Sequence, residues 1–163
     1  TYILIGGIIM LQQYERVLVA VDGSKEAERA FQKAIQVANR NDAALGLVHV
    51  IDTRAFSSVA NYDTSMADKA TEYADELLSG YKEDALKAGV TKVESYIEYG
   101  SPKTAITKEA AKAFQADLIM CGATGLNAVE RLLIGSVSEY IIRHSPCDVL
   151  VVRNDVPDYK EEK

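Results

Sequence analysis

Glycines and hydroxyls gather late in the chain: Gly122-Ala-Thr-Gly125, a nine-residue spacer, then Gly135-Ser136. The chemistry such a stretch suits is anion binding. Glycine lets backbone N–H groups approach a phosphate and permits positive φ. A helix start adds unpaired N–H donors and the positive end of its dipole. Ser136 and Ser138 would place hydroxyl donors in the first turn of that helix. The same glycines also read as an ordinary surface loop, because glycine motifs match many unrelated turns. A second chemical group, Asp22, closes an apolar run near the start. Its carboxylate suits sugar hydroxyls, or simply caps the adjoining helix. Arg131, between the glycines, is either a charge-assisted phosphate donor or a solvated loop residue. His49 lies in an apolar strand and reads as a satisfied core histidine. His144 reads as a last-turn residue facing a helix dipole.

These groups need elements to hold them. The 163 residues fit one domain with a substantial core. Eighteen basic against 24 acidic residues give a net charge of −6, which disfavours sequence-blind binding to nucleic acid or anionic lipid. No apolar run is long enough to span a bilayer. Residues 1–9 are apolar and unlike the rest of the chain, so they read as an extension or an expression remnant before a domain over 10–155. The charged tail, 156–163, is expected to fray.

Within that domain, the β-branched run 16–21 predicts a buried parallel strand. Ser24 is a fitting N-cap for a helix whose buried face is Ala27, Ala30, Phe31, Ala34, Ile35 and Ala38. A strand over 45–51 and a loop over 53–65 come next. Ala70, Tyr73, Ala74, Leu77, Leu78, Tyr81, Ala85 and Ala88 mark a long helix, stopped at Gly89. Gly80 inside it costs about 1 kcal/mol against Ala, which packing is expected to offset. A third strand over 92–99 leads to Ser101-Pro102, an N-cap with Pro at the first helical position. Ile106, Ala110, Ala113 and Phe114 predict the buried face of that helix. Strands over 117–121 and 148–152 flank the glycine stretch and its helix, where Val137, Tyr140, Ile141 and His144 repeat at helical spacing.

Five strands alternating with helices predict an α/β fold with a parallel sheet. Ligands in such sheets sit outside the carboxyl ends of strands, where the strand order reverses. Asp22 and Gly122 both lie at strand ends, and the order 3-2-1-4-5 makes them one site. A carboxylate facing a phosphate cradle is what a nucleotide requires. Other phosphate folds fit poorly. A Walker loop needs Lys before its Ser or Thr, whereas Gly135 precedes Ser136. A receiver domain needs an acidic pair after strand one and an Asp after strand three, where the chain has Tyr99-Gly-Ser. Cys121 and Cys147 fall at opposite ends of neighbouring strands, about 15 Å apart. A disulfide needs Cα atoms within about 7 Å, so two free thiols are expected, as in a cytoplasmic protein.

Three segments carry a family resemblance: Val19-Ala-Val-Asp22-Gly-Ser24, Leu47-Val-His-Val50-Ile-Asp52 and Gly122-x2-Gly125-x9-Gly135-Ser136. The chain resembles the universal stress protein (UspA-like) family, in its ATP-binding branch, from about Arg16 to Arg153. The resemblance implies an open five-stranded parallel sheet, order 3-2-1-4-5, with helices on both faces, of the adenine nucleotide alpha hydrolase-like type. It implies that Asp22 binds ribose and that Val50 meets adenine through its backbone. It implies that Gly122, Gly125, Gly135 and Ser136 hold phosphates. Val137 and Ser138 would supply amides or a hydroxyl, and Ala20 and Cys121 would line the base or ribose pocket. Ala20 departs from the Pro of some relatives, and Ala123-Thr124 from their Ser-His or Ser-Arg.

The function so implied is an ATP-binding regulatory module of the stress response, with Mg as a possible companion of ATP. It would be a homodimer paired through the fifth strand, and would serve an unidentified protein partner. AMP or a cyclic nucleotide would fit the same cleft. Two other readings stand beside it: a slow ATP hydrolase, and a nucleotide-independent dimeric interaction protein. Efficient phosphoryl transfer needs metal ligands, a positioned water and cationic charge. The sequence offers Ser136 and Arg131 for these, so turnover near background is expected and no catalytic residue is assigned.

Overall fold

The β-branched run near the start forms the central strand, β1 (Arg16–Ala20), of a five-stranded sheet. The computed structural model describes residues 3–5, 8–10, 13–55, 64–124 and 134–153. After β1 come α1 (Lys25–Asn41), β2 (Ala44–Ile51) and a 3-10 turn, Thr53–Ala55. Next are α2 (Thr64–Lys87) and β3 (Val93–Tyr99). The helix α3 runs as Pro102–Thr104, a π-helical segment Ala105–Ala110, and Ala111–Phe114. Then β4 (Leu118–Gly122), α4 (Ser136–His144) and β5 (Asp148–Val152) complete the chain's order. All five strands pair in parallel, in the order β3-β2-β1-β4-β5. This is the expected 3-2-1-4-5. Ile3–Ile5 and Ile8–Met10 form a separate antiparallel pair.

Both faces of the sheet are covered. On one, Phe31 and Ala34 of α1 and Leu78 and Tyr81 of α2 bury Val17, Val19, Leu47 and Met120. On the other, Ile106 and Phe114 of α3 and Ile141 of α4 bury Leu18, Val48 and Ile119. Gly46 in β2 makes room for α3, since a Cβ there would lie 2.9 Å from the Phe114 ring. No described helix is long and apolar enough to cross a membrane.

The amino ends of the strands are closed by polar clasps. Asp117 accepts from the backbone amides of Glu15 and Arg16 at 2.8 and 2.9 Å. Arg16 lies 4.2 Å over the Phe114 ring and donates to the Phe114 carbonyl. Tyr14 donates its hydroxyl to Asp148 at 2.9 Å. The carboxyl ends are where polar chemistry remains to be placed.

Two local expectations change. The turn-and-loop region after β2 is shorter, because α2 already begins at Thr64. A Cβ at Gly80 would meet nothing within 4 Å, so no close approach requires this glycine, and the buried Ala74, Leu78, Tyr81 and Ala85 of α2 supply the packing that offsets its cost. In α3, Ala111 is buried and Ala113 exposed, the reverse of the regular spacing. The π-helical turn holds an extra residue, which rotates the remainder of the helix by about 100° about the axis. Cys121 and Cys147 are both free, and Cys121 pairs in register with Val151.

Candidate functional site

Because β1 neighbours β4, their carboxyl ends meet, with Val19 opposite Met120. Side chains alternate along a strand, so Ala20, Val50 and Cys121 all fall on the α3–α4 face. Val137, in the first turn of α4, packs against the same cluster. Four of the expected site residues therefore share one apolar surface at the strand tips. The Cys121 thiol is pushed up to about 11 by burial, against a hydrogen bond with Ser138 that pulls it down. At neutral pH it is a neutral packing group, not a nucleophile.

The tip of β1 is tied down by the protein itself. Asp22 is half-buried, and its Oδ1 accepts from the Ser24 amide at 2.9 Å. Ser24 caps α1: its hydroxyl accepts from the Ala27 amide at 3.1 Å, and Glu26 and Glu28 sit in the first turn. Gly23 has φ +80°, and a Cβ there would lie 2.8 Å from the Tyr73 hydroxyl. The Tyr73 ring stands edge-on to His49 at 6.1 Å. His49 is buried, with Nδ1 2.8 Å from the Val21 carbonyl. A carbonyl can only accept, so Nδ1 carries the proton, and His49 is the satisfied core histidine its setting predicts. Tyr73 belongs by spacing to the buried face of α2 but is 53% exposed, roofing this turn. Helical spacing gives its face correctly. It carries no signal that α2 overhangs the strand tips at that height.

The tip of β4 is built differently. Gly122 ends the strand, and a Cβ on it would lie 3.1 Å from the Glu26 carbonyl carbon and oxygen. A side chain here would crowd the backbone of α1, which would have to give by a few tenths of an ångström. Positive φ, the other reason a glycine is needed, is found among the described glycines at Gly23, Gly89 and Gly100. Gly135 is the N-cap of α4, in extended conformation (φ −63°, ψ 157°), with no side-chain capping bond. Its amide donates to the Ala123 carbonyl at 2.7 Å, and its carbonyl accepts from Glu139 at 2.9 Å. Ser136, the first residue of α4, is exposed. Ser138 is buried, and its hydroxyl donates to the Gly122 carbonyl at 2.7 Å. The structure thus brings Gly122, Gly135, Ser136, Val137 and Ser138 together at the β4 tip, with Ala20 and Cys121 in the adjoining apolar cluster and Asp22 two residues past the end of β1. Gly125 and Arg131 lie outside the described residues. At the far end of α4, His144 meets the Tyr140 carbonyl at 3.1 Å, as a last-turn histidine should.

An uncapped helix start facing a strand tip offers backbone donors and positive potential to an anion. The adjoining apolar surface suits a flat, weakly polar ring. Together they fit a nucleotide better than an isolated phosphate.

Comparison with known proteins agrees with this geometry. Residues 13–153 match the profile of the universal stress protein family. A universal stress protein of Staphylococcus saprophyticus is 58% identical over 142 residues, covering 87% of this chain and 85% of the relative. The solved structure of the universal stress protein UspA from Lactobacillus plantarum superposes with a TM-score of 0.77 at 30% identity, covering 86% of this chain and 99% of that one. A universal stress protein solved in complex with cAMP superposes with a TM-score of 0.66 at 30% identity, covering 88% and 99%.

Proposed function

From the premise that this chain belongs to the universal stress protein family, we propose that it binds an adenine nucleotide, ATP with Mg, and acts as a cytoplasmic regulatory module. The observation that carries this reading is the start of α4. Gly135 gives it no side-chain cap, and Ser136, Val137 and Ser138 form its first turn, where a helix offers backbone N–H donors. Gly122, Gly125, Gly135 and Ser136 would hold phosphates. Asp22 would take the ribose through the oxygen that Ser24 does not engage. Ala20, Val50 and Cys121 would pack the base. The related protein solved with cAMP supports an adenine nucleotide as the class of ligand. The outer edge of β5, unpaired within the five-stranded sheet, would join a second copy, as an apolar edge favours. An unidentified protein would then read the nucleotide state.

The test is calorimetric titration of nucleotide-stripped protein with ATP, AMP, cAMP and GTP, with magnesium present. ATP is expected to bind well above AMP, cAMP and GTP. Silence for all four would leave the glycine stretch as scaffold. A preference for cAMP or AMP over ATP would move the ligand, not the site. Asp22→Ala should weaken ATP and adenosine equally, by roughly tenfold, the scale of one charged hydrogen bond. Loss for ATP alone would remove Asp22 from the ribose.

A further inference from the structure

The hydroxyl of Ser138 is already committed. It is 5% exposed and donates to the Gly122 carbonyl at 2.7 Å. A serine hydroxyl has one proton to give. A carbonyl has none, so the donor in this bond is Ser138. A phosphate oxygen, like the carbonyl, needs a donor. For Ser138 to serve one, it would have to release Gly122 and leave a backbone carbonyl unpaired.

We propose that the Ser138 hydroxyl is a positioning group: it holds the start of α4 against the β4 tip before any nucleotide arrives, and does not itself touch phosphate. The inference rests on the nucleotide reading of this site. The bond runs from the end of β4 to the first turn of α4. A second bond, from the Gly135 amide to the Ala123 carbonyl at 2.7 Å, lies beside it. Together they tie Gly122 and Ala123 to Ser138 and Gly135. The uncapped amides of α4 are thereby held in place in the free protein, so binding need not order them. Ordering costs are a main drain on affinity, and holding a site in its bound shape reduces them.

The experiment compares wild type with Ser138→Ala and Ser138→Thr, which keeps the hydroxyl. Amide exchange is followed by NMR in the nucleotide-free protein, at Ala123, Gly135 and Glu139, whose amides are all bonded there. Affinities for ATP, ADP, AMP and adenosine are titrated alongside. A positioning role predicts exchange at Gly135 and Glu139 faster by roughly tenfold in Ser138→Ala without ligand, as local opening becomes easier. ATP and ADP affinities fall by a similar factor, and Ser138→Thr restores both. Unchanged exchange, with an affinity loss that grows with each phosphate, would overturn the proposal in favour of direct contact. Unchanged exchange and unchanged affinity would show the bond to be idle. If wild type binds none of the four ligands, the nucleotide reading fails, and this role fails with it; a surviving exchange effect would then show only a structural tie.

Discussion

Two helices begin on either side of the β4 tip, and they begin in opposite ways. The start of α1 is filled by its own chain: Ser24 accepts from Ala27, acidic residues occupy the first turn, and Asp22 accepts from Ser24. The start of α4 has glycine where a cap would be, and among the described residues no side-chain capping bond is found there. Exposed, either arrangement is tolerated, because water satisfies helix ends. Side by side, they divide the work. One helix start fixes the loop that carries Asp22, and the other is the one that the proposed reading gives to an anion. The chain could have capped both, since Ser or Asp at position 135 suits the observed extended backbone.

The largest expected effect comes from removing that difference. Gly135→Asp gives α4 its own carboxylate cap. Stability should hold or rise by a few tenths of a kcal/mol, since glycine is only slightly worse than Asp as a cap. ATP affinity should fall by about 100-fold or more, because a fixed carboxylate now occupies and repels where phosphate would lie. Thermal melting and titration read the two outcomes independently. Retained ATP binding would mean that α4 is not the phosphate site.

The next effect separates the two glycines. At Gly122 a Cβ would press on the Glu26 backbone at 3.1 Å, whereas at Gly135 it would make ordinary contacts at 3.4 and 3.5 Å. Gly122→Val should therefore lose about 1–3 kcal/mol of folding stability, the cost of overpacking. Gly135→Val should melt within a few degrees of wild type and still fail to bind ATP. Equal urea midpoints for the two variants would show that α1 does not confine Gly122. A folded Gly135→Val that binds normally would deny the α4 start its role.

That split is not legible in the sequence. Spacing alone marks Gly122 and Gly135 as members of one motif. Only packing reveals that the first answers to α1 and the second is free to answer to a ligand. The fold itself is readable, because the strands are short apolar or alternating runs and the helices repeat apolar residues at helical spacing. The strand order is what the family resemblance implies and what would bring Asp22 and Gly122 to one end of the sheet, and the observed order agrees. What escapes the sequence are features set by geometry between elements. A π-helical turn moves burial from Ala113 to Ala111. Tyr73 emerges over Gly23 because α2 overhangs the strand tips. The Ser138 hydroxyl reads as available in the sequence, whereas its bond to Gly122 commits it.

The smallest effect probes the closed side. Ser24→Ala removes the hydroxyl that accepts from Ala27. Losing a serine cap costs about 1 kcal/mol, and a melting curve should show it. The Ser24 backbone amide remains, so Asp22 keeps the partner that orients it. ATP affinity should then stay within about twofold, a few tenths of a kcal/mol. A tenfold loss in a variant that still melts cooperatively would mean that the start of α1 also reaches the nucleotide. The two helix starts would then share the anion, and the contrast between a capped support and an open cradle would give way to a site built from both.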